Sequence, residues 1–273
     1  MKIPLAVARG IFVWYDARMR FHIITLFPEM FSSYLAESIL GRAIKEKKIS
    51  VTFTNPRMFV SGKYKKVWPD GNISRQIDER PYAGGPGMVM MAEPIIKAVE
   101  LVHANILKKF SKSSDILAKN KMAKKGEARL KKSSQNIHPK IITINFVPSA
   151  EKFTTSVAKT ISKKYTDVIM ICGRYEGIDA RVDKILKTKQ LSIGDYVLTG
   201  GEIPALVLID SISRQIEGVL GNFDSREEER TSSSEVYTRP EVIVHNKKNY
   251  KVPSVLLSGD HKKIEQWKDR SKK

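Results

Sequence analysis

Strand-length apolar runs alternate with segments of helical spacing along most of this chain, and that alternation admits few folds. Residues 22–27 form a compact β-like run halted by Pro28. Residues 31–47 then place Phe31, Leu35, Ile39 or Leu40, and Ala43 or Ile44 at helical spacing, and the basic cluster at 45–48 suits a helix C-terminus. Residues 49–54 alternate like a strand until Asn55-Pro56 breaks them. Further strand-like runs fall at 141–147, 168–172 and 196–199. Helical segments are expected at 93–102, at 155–164 and from Glu202 to Arg214. Strand and helix at this spacing specify an α/β fold with a largely parallel sheet.

Composition narrows the partners more than the fold. With 273 residues, 41% of them hydrophobic, the chain can bury one large core or two modest ones, which excludes wholesale disorder. The single cysteine, Cys172, excludes an intrachain disulfide and a cysteine-only zinc site, and the five histidines lack ligand spacing, so no metal site is expected. Lysine and arginine exceed aspartate and glutamate by 48 to 29, a net charge of +19. Such an excess favours a polyanionic partner, RNA or DNA before an acidic membrane, over a basic surface kept only for solubility. Arg9, Asp16, Arg18 and Arg20 interrupt any signal-like core, and the 168–172 run is far short of the ~20 residues of a membrane span. The chain reads as soluble and cytoplasmic.

Four segments depart from the pattern. Residues 1–18 show neither strand nor helix spacing and read as a leader ahead of Met19. Residues 103–140 hold eleven lysines and arginines against Asp115 and Glu127, and are expected to form a surface excursion: a solvated loop, or an arm for RNA phosphates. Residues 222–236 are a Ser/Thr-rich linker around Glu227, Glu228 and Glu229, and residues 237–273 a short tail with a basic helix start at 261–268.

Three glycine-bearing loops carry the chemistry. The first, at 80–88, contains Arg80, Gly84, Gly85, Pro86 and Gly87; the second, at 172–179, follows a strand and holds Gly173, Arg174, Tyr175, Glu176, Gly177 and Asp179. The third runs from Ser192 to Pro204 through Gly194 and Gly200-Gly201. None matches a phosphate-binding glycine motif. Each alone reads as a turn or as a site, the second at the carboxyl end of a strand where α/β proteins bind ligands; together they suggest a small-molecule pocket lined by backbone.

The runs LFPEMF, RPYAGGPGMVMM, CGRYEGIDARV, SIGDYVLTGGEIPALVLIDSISR, GVLGN, YTRPE and VPSVLLSGDH occur in this order, and with them the chain resembles the bacterial tRNA (guanine-N1)-methyltransferases over residues 20–267, apart from the basic insert. The resemblance implies methyl transfer from S-adenosylmethionine to guanosine 37 of tRNA, in a GpG context beside the anticodon. It implies a SPOUT-type parallel sheet with a deep trefoil knot across domain 19–221, and a homodimer with shared active sites. The cofactor would lie against Pro148, Gly173, Tyr175, Glu176, Gly177, Ser192, Ile193, Gly194, Tyr196, Leu198, Gly200, Gly201 and Pro204. Side chains added at Gly173 or Gly200 are expected to occupy its space.

Methylating N1 requires a base for its proton and a cation for the charge that builds on O6. The family's residues map to Glu229 in the linker and to Arg214, with Glu228 or Asp224 as the base under a shifted register. The anticodon stem-loop would meet Arg57, Arg80, Gly85, Pro86 and Gly87. Magnesium stays open as a further cofactor. The family continues past the SGDH helix into a helical domain, so the tail reads as truncated. The other readings are an RNA-binding relative of the same fold with impaired catalysis, and a knotted methyltransferase acting on another RNA.

Overall fold

The computed structural model describes residues 18–82, 84–123, 138–220 and 235–270. They fall into two units, 1–219 and 220–273.

In the larger unit, β1 (Met19–Ile24) pairs in parallel with β2 (Ile49–Thr54), Met19 opposite Ile49. The chain between them forms a 3₁₀ turn (Pro28–Phe31), α1 (Ser32–Ala36) and α2 (Ser38–Lys45). The single helix expected over 31–47 is thus broken, because Glu37 is extended and Ser38 takes φ 53°. After β2 come two small antiparallel pairs: β3 (Lys65–Val67) with β4 (Ile73–Arg75), and β5 (Asp78–Glu79) with β6 (Val89–Met90). Then follow α3 (Ala92–Ala123), β7 (Ile141–Phe146), α4 (Thr155–Lys164), β8 (Asp167–Ile171), α5 (Arg181–Leu186), β9 (Lys189–Leu191) and α6 (Glu202–Ser213). The main sheet has the order β2-β1-β8-β7-β9, and every neighbouring pair is parallel.

Alternation along the strands separates two cores. Met19, Phe21 and Ile23 of β1 and Val168 and Met170 of β8 meet α1, α2, α4 and α6 on one face. Ile24, Ile169 and Ile171 meet α3 and α5 on the other. Both faces are covered, so β8 is buried throughout and reads as a continuous apolar run after Asp167. Asp167 itself is fully buried at the amino-terminal edge, where Arg20 Nε and Nη2 donate to its two oxygens at 2.7 and 2.6 Å and His22 Nε2 lies 3.1 Å away. Burial alone would raise this carboxyl, but the bonds from His22 and Arg20 outweigh it and hold the group well below the usual carboxylate range.

Two expectations are corrected. Helix α3 does not stop near residue 102: Val102 and Ile106 continue its buried stripe, and the helix runs to Ala123 inside the basic segment. Residues 196–199 are not a strand. Val197 is 82% exposed there, and the edge strand is β9, where Lys189, Gln190 and Leu191 pair with β7.

The smaller unit contains a hairpin of β10 (Val242–His245) and β11 (Lys248–Lys251), then α7 (Ser254–Leu257) and α8 (His261–Arg270). Asn246 and Lys247 both have positive φ, the two-residue turn that matches strand twist. The tail is therefore more than helical. Without the usual Asn-Gly, the turn gave no sequence signal.

Candidate active site

The second and third candidate loops leave the carboxyl edge of the main sheet, after β8 and β9, and the first joins β5 to β6. At the end of β8, buried Cys172 donates its N–H to the Ile24 carbonyl at 2.9 Å, and burial pushes its thiol up, with Glu202 adding to the effect. The next residue, Gly173, accepts from the N–H of Gly201 at 3.0 Å, so the second and third loops are in direct contact. A Cβ on Gly201 would lie 2.6 Å from the Cys172 Cα, which explains the glycine by backbone approach.

The first loop closes on the second from the other side. Glu176 N–H donates to the Met88 carbonyl and Met90 N–H to the Gly177 carbonyl, each at 3.0 Å. Gly87, at φ +87°, allows the Glu176 side chain to lie where its Cβ would be. Tyr175 holds a left-handed conformation at φ 58° while half exposed, local strain of the kind that collects at functional sites.

Arg174 is the hub of this cluster, a role the sequence reading missed. Its guanidinium lies 4.7 Å from the Phe27 ring centroid, Nη2 is 3.0 Å from Glu202 Oε2, and Nη1 donates to the Thr199 carbonyl at 3.4 Å. Glu202, only 1% exposed, also accepts from the Thr25 hydroxyl at 2.8 Å. The signal for Glu202 was a lone carboxylate heading an apolar helix. The arrangement gives Gly200 a further constraint: its Cβ would meet Arg174 Nε at 2.4 Å and Glu202 Oε2 at 2.7 Å, so a side chain there displaces the ion pair. At Gly173 the neighbour is the Ile178 side chain, at 3.1 Å.

The remaining positions divide. Ser192, Ile193, Gly194 and Tyr196 form one turn after β9: Ser192 Oγ donates to the Gly194 carbonyl at 2.9 Å and Tyr196 Oη to that of Ile193 at 3.2 Å. Leu198 is exposed on the way to Gly200, Pro148 lies exposed in the turn after β7, and Pro204 is buried in the first turn of α6. Arg80, Gly85, Pro86 and Gly87 are exposed, whereas Arg57 is half-buried on the 3₁₀ turn Pro56–Phe59.

Arg214 is not gathered with the loops. It caps the far end of α6, and its N–H donates to the Asp210 carbonyl at 3.1 Å. Twelve residues beyond Glu202, at the helical rise, put it about 18 Å from the loops. There it lines a cavity of about 430 Å³ with Tyr34, Glu37, Ser38 and Asp210. Tyr34 donates to the Asp210 carboxylate, and that bond raises its own pKa. Glu229, Glu228 and Asp224 lie outside the described residues.

Among the described residues no three His, Cys, Asp or Glu side chains could hold a metal ion, and no helix is long and apolar enough to cross a membrane.

Comparison with known proteins gives the family. The family described as tRNA (Guanine-1)-methyltransferase TrmD matches residues 19–273. A tRNA (guanine-N(1)-)-methyltransferase of Clostridioides difficile (strain 630) is 41% identical over 255 residues, 92% of this chain and 90% of the relative. Those of Pseudoalteromonas atlantica and Thermomicrobium roseum are 37% and 39% identical over 93% and 92% of this chain, and 80% and 77% of theirs. With nearly its whole length from Met19 onward aligned, the chain belongs to the tRNA (guanine-N1)-methyltransferase family.

Proposed function

We propose that this chain methylates N1 of the guanosine at position 37 of tRNA, in a GpG context, with S-adenosylmethionine as donor, in the cytoplasm, as a homodimer with shared active sites. The observation that carries the reading is the lock of three loops just beyond the end of β8, Gly201 on Gly173 and Gly87 on Glu176. The lining suits a nucleoside sulfonium. Gly177 faces open space, the apolar residues Tyr196, Val197 and Leu198 lie exposed on the third loop, and Glu202 already balances the Arg174 cation. Bound there, the cofactor would supply an electrophilic methyl group.

The chain's own residues divide the rest. Glu229, or Glu228 or Asp224, takes the N1 proton from the linker at 222–236, and Arg214 holds the negative charge on O6. The span of about 18 Å along α6 exceeds what one arginine side chain bridges, which supports a site completed by a second copy. Ile203 and Val207, 49% and 41% exposed one helical turn apart, support the same arrangement, since an apolar helix is normally covered. The route of the chain supports a knot as part of this reading: after β9 at the sheet edge it returns past β7 to meet Gly173 in the loop after β8, then enters α6.

Radiolabelled methyl transfer into unmodified tRNA tests the proposal. Incorporation is expected with guanosine at position 37 and not with adenosine there; equal incorporation into both would place the modified base elsewhere.

A further inference from the structure

The ribbon of β3 and β4 has no part in either core, yet it is built with care. Its base is anchored: Ile77 is fully buried, and Gln76 N–H donates to the Tyr64 carbonyl at 3.0 Å. Its tip is closed by Trp68 N–H donating to the Asn72 carbonyl at 2.8 Å and Gly71 N–H to that of Trp68 at 2.9 Å. Between base and tip, both faces are open. Val67, Trp68 and Ile73 are 66%, 54% and 44% exposed, an unusual outlay of apolar surface for a two-stranded ribbon that gains no core by it.

The charges around these side chains say what covers them. Lys63, Lys65, Lys66 and Arg75 surround the ribbon against two carboxylates, both already engaged: Asp70 at the tip accepts from Asn72 N–H at 3.0 Å and Nδ2 at 2.7 Å, and Glu79 at the base accepts from the Tyr64 hydroxyl at 3.1 Å. In the ladder Lys65 faces Arg75 and Val67 faces Ile73, so one face carries two cations beside an apolar pair, and the indole stands at the end. Cations flanking an exposed aromatic ring are the chemistry of unpaired nucleic acid: the cations meet phosphates and the ring stacks on a base. The ribbon is also continuous with the candidate site. It leads into β5, β5 pairs with β6, and residues 88–90 bond the loop at 176–179.

We propose that the β3–β4 ribbon is a tRNA-docking finger whose Trp68 stacks on an unpaired base of the substrate, next to the nucleotide being methylated. The inference rests on the tRNA reading above and assigns the finger to binding, not to chemistry.

The test compares the full chain with Trp68→Ala and Trp68→Phe, using an unmodified tRNA transcript with guanosine at position 37. Trp68→Ala should weaken tRNA binding about 10-fold and raise KM for tRNA in proportion. The rate at saturating tRNA and the affinity for S-adenosylmethionine should stay unchanged. Trp68→Phe should recover most of the loss, which a merely structural role would not predict for an exposed side chain. In a chain whose other two tryptophans are phenylalanine, Trp68 fluorescence should be quenched on adding tRNA. Unchanged tRNA affinity in Trp68→Ala, with methylation intact, would overturn the finger and leave the proposed function standing. A variant dimer that falls apart while binding tRNA normally would make the ribbon a contact between copies, and loss of binding to anionic vesicles alone would make it a membrane contact; both overturn the proposal. A parent chain that neither binds nor methylates tRNA would remove the finger together with the function it rests on.

Discussion

At the scale of single residues, removing the N1 proton and holding O6 are separate tasks, so their variants should differ in pH behaviour. Glu229→Gln keeps its size and loses its basicity, and should lower turnover roughly 10²–10⁴-fold, with partial recovery at high pH where guanine N1 deprotonates unaided. Arg214→Ala should fail at every pH, because the oxyanion stays uncompensated. Rate profiles from pH 6 to 10 check both; full activity in Glu229→Gln with a dead Glu228→Gln or Asp224→Asn would move the base by register. The Arg174–Glu202 pair makes a different demand. Glu202 is buried against Thr25 as well as Arg174, so Glu202→Leu should cost about 3–5 kcal/mol of stability and loosen cofactor binding. Urea unfolding and calorimetry would read the two effects, and a variant as stable as the parent would show the pair to be dispensable. Glu202 was legible only as a charge at a helix start, since its partners lie 177 and 28 residues away in the chain. Arg214 was legible by spacing as the end of the helix that starts at Glu202, where α6 places it, but its role came from the family motif alone.

Among the elements, those that bury a regular stripe were legible. Strand β2 and helix α4 fall where their alternation and spacing put them, because each has one covered face and a clear stop. Elements held by something outside their own pattern were not. Strand β9 is three residues with two polar ones, held by its ladder to β7, the buried Leu191 and the bonds of Lys189 to Glu151 and Gln190 to Asp183, while Tyr196, Val197 and Leu198, which imitate a strand, are exposed. The basic segment was misread at its start for the same reason. Its lysines hid Ile106, which continues the buried stripe of Val102 and fastens α3 to the sheet. That boundary sharpens a prediction: a deletion from 112 to 136 spares the buried stripe and removes eight lysines and arginines against Asp115 and Glu127. If the segment grips RNA phosphates, tRNA affinity should fall and its salt dependence should flatten, because fewer counterions are released. An unchanged slope across 50–200 mM salt would return the segment to a solvated excursion.

For the whole molecule, two properties depend on few contacts. One is the proposed pairing of two copies: if a second copy covers α6, Val207→Glu, which places a charge on its open face, should halve the mass seen in sedimentation and lower methyl transfer with it. A monomer that stays active would refute sharing. The other is acid stability. The Asp167 carboxyl titrates below its unfolded value of about 3.9, so its contribution is complete above that pH and is lost as pH falls toward the lower folded value. Asp167→Asn should remove about 3 kcal/mol at neutral pH and flatten the fall in stability below pH 4, as read by urea midpoints. The same residue joins β1 to β8, and the sheet order then sets a schedule for synthesis. Strand β1 lies between β2 and β8, yet β8 leaves the ribosome more than a hundred residues after β2. At bacterial-type elongation rates the nascent chain holds one unpaired edge of β1, with Phe21 and Ile23 beside it, for on the order of ten seconds. During that interval the first strand offers a pairing edge that its own chain cannot yet fill, and it becomes a finished part only when Asp167 arrives to close on Arg20.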